Sequence, residues 1–248
     1  MTTSPDALFD VPAPVPPVAR LLALAGEYTR HNDSADILGS SAPEPGEHAR
    51  SAELLATETN AAITAVMELR LFDHADLTAA LVRLQQIAYL ADAASRHELT
   101  TSRVLTAFAP EAVAGSAARI AAHMRRRRSG HAPEPDERLD AVEQAALHEI
   151  ALGHVVSTSS QGRDYVHSAG ARVLISTLRS LEESGLAERV PRSAPPAYVG
   201  GGPQTRIRLS PAGAIALATV IGGPPAGRDA GAKPALAAAA TKTVPRSR

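Results

Sequence analysis

The sequence predicts a mainly α-helical protein, with an N-terminal helical bundle followed by a C-terminal module that holds a small antiparallel β-sheet. Three observations carry this reading. Alanine and leucine recur at helical spacing across residues 48–128. A proline-rich, charged break, SGHAPEPDE, follows at 129–137. Beyond Gly153 the apolar period shortens to that of strands and then lengthens again.

Residues 1–16 hold Pro5, Pro12, Pro14 and Pro16, a density that neither a helix nor a central strand tolerates, so a disordered lead is expected. Residues 17–47 read as a short helix and a linker. Val18, Leu21, Leu22, Ala25 and Tyr28 recur at helical spacing up to Arg30, and the polar run HNDSADILGSSAPEPGE follows. The helical domain spans 48–128. Its first helix carries the stripe Leu55, Ala62, Val66 and Leu69; its second opens on Asp76 as N-cap and carries Leu77, Leu81, Leu84, Ile87, Ala88 and Ala91. A third covers roughly 98–108. A fourth runs from Pro110 and Glu111 to the basic run Arg125, Arg126, Arg127 and Arg128. Stripes this rich in alanine predict close antiparallel packing within one chain, with pairing between two chains as the alternative.

After a linker at 129–136, the module spans 137–222. Leu139, Val142, Ala146 and Ile150 mark one side of a helix that Gly153 stops. Two β-rich runs flank Ser159, Ser160, Gln161 and Gly162 and read as a hairpin over 154–167. Ser168 is placed to cap a helix over 171–184, with Gly185 as its stop. Leu174, Leu178 and Leu181 form its core stripe, beside Val173, while Arg172, Ser176, Arg179 and Glu183 share another face. Leu186, Ala187 and Val190 begin a strand. A loop with Gly200, Gly201 and Gly202 follows, then a second strand in which Ile207 and Leu209 alternate with Arg206 and Arg208. Ser210 as N-cap and Pro211 at the first position open a last helix. Residues 223–248 form a low-complexity tail holding both lysines of the chain, Lys233 and Lys242, and are expected to be disordered and basic.

In this module Leu178, Leu181, Glu182, Gly185 and Leu186, followed by Arg206, Arg208, Leu209, Ser210, Pro211, Ala212 and Gly213, resemble the winged helix-turn-helix fold of MarR- and PadR-like bacterial regulators. The resemblance covers about a third of the chain, and the N-terminal half resembles no family. Where those regulators carry a second helix, this chain has the hairpin. The resemblance implies a recognition helix that enters the major groove of DNA, about 12 Å wide. Arg172, Ser176 and Arg179 would meet base edges. Arg206 and Arg208 would form a wing that grips phosphates, and Arg125, Arg126, Arg127 and Arg128 are further candidates for phosphate contact. The plainer reading of Arg172 and Arg179 is a solvated face with Arg179 and Glu183 as a local ion pair.

Composition removes other classes. The chain has no cysteine, which excludes disulfides, thiol catalysis and cysteine zinc sites. Aromatic residues make up 3% of the chain, too few for a base-stacking platform. A formal net charge of −1 argues against a purely electrostatic binder. The N-terminus lacks the features of a signal peptide and no apolar run is long enough to span a membrane, so a cytoplasmic location is expected. His148 and His154 stand six apart with Gly153 between them, the wrong spacing for a zincin pair, so no metal site is expected. No nucleotide or nucleophile motif is present; the expectation is a protein without cofactor and without enzymatic activity.

The function expected is DNA binding in transcriptional regulation, by a homodimer whose helical domain pairs the chains or binds a protein partner. The alternative is a protein-interaction or assembly protein whose winged helix does not touch DNA.

Overall fold

The computed structural model describes residues 15–38, 46–71, 74–127, 139–160, 162–198 and 200–223. Most of the expected lead, the 129–136 linker, Arg128 and the tail beyond Gly223 lie outside them. The architecture is mainly helical, with a small four-stranded antiparallel sheet on the C-terminal side.

The first helix, α1 (Pro17–Leu38), is longer than its apolar stripe suggests. The polar run after Arg30, expected to be linker, is helical through Leu38, because its polar side chains are buried against partners. Asn32 donates to the Thr106 carbonyl at 2.9 Å and accepts from its hydroxyl at 2.7 Å. Asp33 and His31 are buried with partners of their own. Satisfied polar groups of this kind tolerate burial that bare hydropathy would forbid. As a result α1 is a central element. It packs against α2 (Glu47–Glu68), α4 (Leu99–Thr106) and α5 (Ala109–Arg127) on one side, and against the C-terminal helices and strands on the other.

The remaining helix of the N-terminal half is α3 (Ala75–Ala94), packed on α2 and α5. Its N-cap is His74 rather than Asp76: the imidazole Nδ1 accepts from the Asp76 amide at 3.2 Å, and Asp76 sits in the first turn, where its charge suits the helix dipole. Glu98 caps α4 through the Thr101 amide.

In the C-terminal half, α6 (Ala141–Ala151) opens with a capping box in which Asp140 and Glu143 satisfy each other's backbone amides. Val142, expected on the core side, is half exposed, and Leu147 occupies the core instead. Gly153 ends the helix at φ +76°, and a Cβ there would lie 2.4 Å from the Thr29 hydroxyl of α1, so the position needs glycine twice over. The strands are β1 (Val156–Ser160), β2 (Arg163–His167), β3 (Ala187–Ala194) and β4 (Gln204–Leu209), in the order β2-β1-β4-β3. Val156 pairs with His167 on one side and Arg206 on the other, and Arg206 pairs with Val190, which fixes one face of the sheet. That face meets α1; the opposite face carries α7 (Ile175–Glu183). The closing helix α8 (Pro211–Val220) begins as expected, with the Ser210 hydroxyl accepting from the Gly213 amide at 2.9 Å and Pro211 in its first turn.

One apolar cluster runs from Val18 and Leu22 of α1 through Leu84, Ile120 and Leu147 to Leu178, Ile207 and Leu217. The hydrophobic cores of the two halves are therefore continuous. No helix among the described residues is long and apolar enough to cross a membrane.

Candidate nucleic-acid interface

The helix expected over 171–184 begins at Ile175. The preceding segment is pinned from outside: the buried Glu149 carboxylate accepts from the Gly170 amide at 3.0 Å, and the Ser168 hydroxyl accepts from the Val173 amide. Ser168 thus caps a loop. Leu174 becomes the N-cap residue of α7 and is 44% exposed, so the core stripe is Val173, Leu178 and Leu181. Arg172 lies in the loop, not on the helix, where it lines a shallow groove beside Tyr165 and His167 of the edge strand β2. Ser176 and Arg179 are exposed on the outer side of α7. Arg179 and Glu183 both stand in solvent and do not pair.

Of the acids near this face, Glu183 stays exposed beside Arg179, while Glu182 and Glu143 are engaged within the fold. Glu182 accepts from Arg189 Nε at 2.6 Å, and the same guanidinium reaches Asp164 of β2 at 3.3 Å. These carboxylates hold the Arg189 pKa above its usual value. Glu143 of α6 accepts from the Ser180 hydroxyl at 2.8 Å.

The expected wing arginines are elsewhere. Arg206 is buried, 7% exposed, and grips Asp33 of α1 with two hydrogen bonds of 2.8 and 2.6 Å; its third goes to the Gly153 carbonyl at 2.6 Å. It cannot meet a phosphate, because α1 covers this face of the sheet. Arg208, two residues along the same strand, is half buried and faces Asp33, Arg30 and Glu27 of α1 and Glu188 of β3. Burial pushes its pKa down, and its Nε is buried without a hydrogen bond.

The arginine run divides in the same way. Arg125 donates to the carbonyls of Thr219, at 3.2 Å, and Ile221, where its charge meets the negative end of α8. Arg126 is exposed and 3.4 Å from Asp76. Arg127 is the last residue of α5. Of the eight arginines and one serine expected at DNA, the structure leaves Arg172, Ser176 and Arg179 exposed, and ties Arg125 and Arg206 into the fold.

Sequence reasoning missed Asp33, Glu149, Asp164 and Arg189, which organise this region from within. Only Asp33 left a signal: Ala35 continues the spacing of Tyr28, so the helical stripe outlasts Arg30. His154 is a strut, with Nδ1 3.1 Å from Glu149 and Nε2 2.9 Å from Glu111 of α5. No family model, no curated protein and no solved structure matches this chain.

Proposed function

We propose that this protein binds double-stranded DNA through α7 and the loop before it, as a cytoplasmic, non-enzymatic transcriptional regulator that acts as a homodimer. One observation carries the reading. Arg172, Ser176 and Arg179 project into solvent on and beside α7, while Glu182 is neutralised by Arg189. A helix with that outer face can approach a polyanion and present side chains to base edges. With Arg206 engaged by Asp33 and Arg208 turned toward α1, the phosphate grip is smaller than the resemblance to winged-helix regulators implies. Two exposed arginines per protomer correspond to a log–log salt slope of only about −2 to −4 for a dimer. Tyr89, Val104 and Phe108, all exposed on the helical half, supply apolar surface of the kind a dimer would bury.

The test is fluorescence anisotropy with duplex DNA from upstream of the protein's own gene and a scrambled duplex, over a range of salt, with light scattering to read the dimer. The expected result is preference for the upstream duplex. Arg179→Ala should reduce that preference about five- to a hundredfold. Absence of binding to either duplex at low salt by folded protein would overturn the DNA reading. It would favour the second reading, a protein-interaction role, which the engagement of Arg125 and Arg206 inside the fold also supports.

A further inference from the structure

A cavity of about 690 Å³ lies between the C-terminal half of α1, the first turn of α2 and the strands β3 and β4. Its volume suits a small organic molecule. Three of its lining residues are arginines, Arg30, Arg192 and Arg208, and one is a carboxylate, Glu47. Arg30 pairs with Glu27 along α1, and Asp33 is taken by Arg206, so the cations left to the cavity are Arg192 and Arg208. Arg192 is exposed and makes no ion pair among the described residues. It sits at φ +57°, in the irregular stretch where the β3–β4 register shifts between Val190 and Ala194. Non-glycine residues are rarely held in that region, and such strain concentrates at ligand sites.

Three further features favour an anion. The α2 N-terminus opens here on Gly46, which has no side chain to cap it, at the positive end of a 22-residue helix. His31 lines the cavity at 3% exposure, its Nδ1 3.0 Å from the Ser51 hydroxyl and its Nε2 without a partner. It stacks on His48 with ring centroids 4.2 Å apart, and His48 Nε2 is 2.5 Å from the Ser102 hydroxyl. Among the described residues, the Nε atoms of Arg208 and His31 are two buried polar groups without a hydrogen-bond partner. Ile37, Leu38 and Val190 form an apolar wall beside these groups.

We infer that this cavity binds a phosphorylated small molecule, its phosphate held by Arg192, Arg208 and the α2 N-terminus and its organic part against Ile37, Leu38 and Val190. Two arginines and a helix N-terminus match a dianionic phosphate better than a single carboxylate. The inference does not depend on DNA binding, and its test contains no DNA.

The experiment is isothermal titration calorimetry of the full chain with ribose 5-phosphate, glycerol 3-phosphate, inorganic phosphate and ribose. The two organic phosphates should bind saturably, inorganic phosphate more weakly and ribose not at all. Arg192→Ala, at an exposed position, should weaken the organic phosphates at least about tenfold, as should Arg208→Met. Arg179→Ala, on the far side of the sheet, should leave them unchanged. No saturable binding of either organic phosphate, equal binding of ribose and ribose 5-phosphate, or unchanged affinity in Arg192→Ala would overturn the inference. So would inorganic phosphate binding as tightly as the sugar phosphate, because the apolar wall would then contribute nothing.

Discussion

His31 is a buried imidazole whose pKa is pushed from its usual 6.5 down to about 4, first by burial and then by the nearby His48 and Arg103. The folded protein therefore holds it neutral, while the unfolded chain takes up a proton below about pH 6.5. Its contribution to stability is fully present above that pH and is lost as pH falls from 6.5 towards 4, by up to about 3 kcal/mol. Urea unfolding of the native chain and of His31→Gln over this interval should separate, with the flatter pH dependence in the variant. The pair Asp33–Arg206 sets a different condition. Both side chains are more than nine-tenths buried, so removing one leaves the other without its counter-charge. Arg206→Met alone should cost about 3–5 kcal/mol, and Asp33→Leu combined with Arg206→Met should cost less than the sum of the single changes. A double-mutant cycle in urea checks both statements.

At the scale of elements, close approach decides where side chains are tolerated. Gly213 lies at the start of α8, and a Cβ there would sit 1.9 Å from the Leu186 carbonyl oxygen. Gly213→Ala should push α8 off the turn that leads into β3 and lower stability by about 1–3 kcal/mol. Gly26 in α1 and Gly115 in α5 have nothing within 4 Å of that position. Alanine at either should raise stability by about 0.5–1 kcal/mol, which thermal unfolding will resolve. These elements also mark what the chain disclosed about itself. Helices with a clear apolar stripe, such as α2 and α5, and the hairpin around Gly162 were legible, because local period and turn chemistry define them. The start of α7 was not, because a carboxylate on α6, distant in sequence, holds the preceding loop out of the helix. The end of α1 was not, because its burial is polar and depends on Ser51, Thr106 and Arg206. The candidate interface was half legible for the same reason. Arg179 stands where helical spacing put it, whereas alternation along β4 identified the faces of the strand but not that α1 covers one of them.

For the whole molecule, the consequence is mutual dependence. Alpha-helix α1 contributes to the core of both halves, so neither set of elements has a complete interior alone. A fragment covering 139–223 should lack dispersed amide signals in a nitrogen–proton correlation spectrum, because it loses the α1 side of the shared core and leaves Arg206 without Asp33. Unfolding of the full chain followed by helical ellipticity and by tyrosine fluorescence should coincide, since Tyr28 is fully buried on the shared helix. The Asp33–Arg206 contact joins residues 173 apart in the chain. On the ribosome, α1 leaves the exit tunnel with a carboxylate whose counter-charge has yet to be translated. The shared interior can close only after β4 has emerged, so the native state is reached late in synthesis, and until then α1 is a helix that a chaperone can hold.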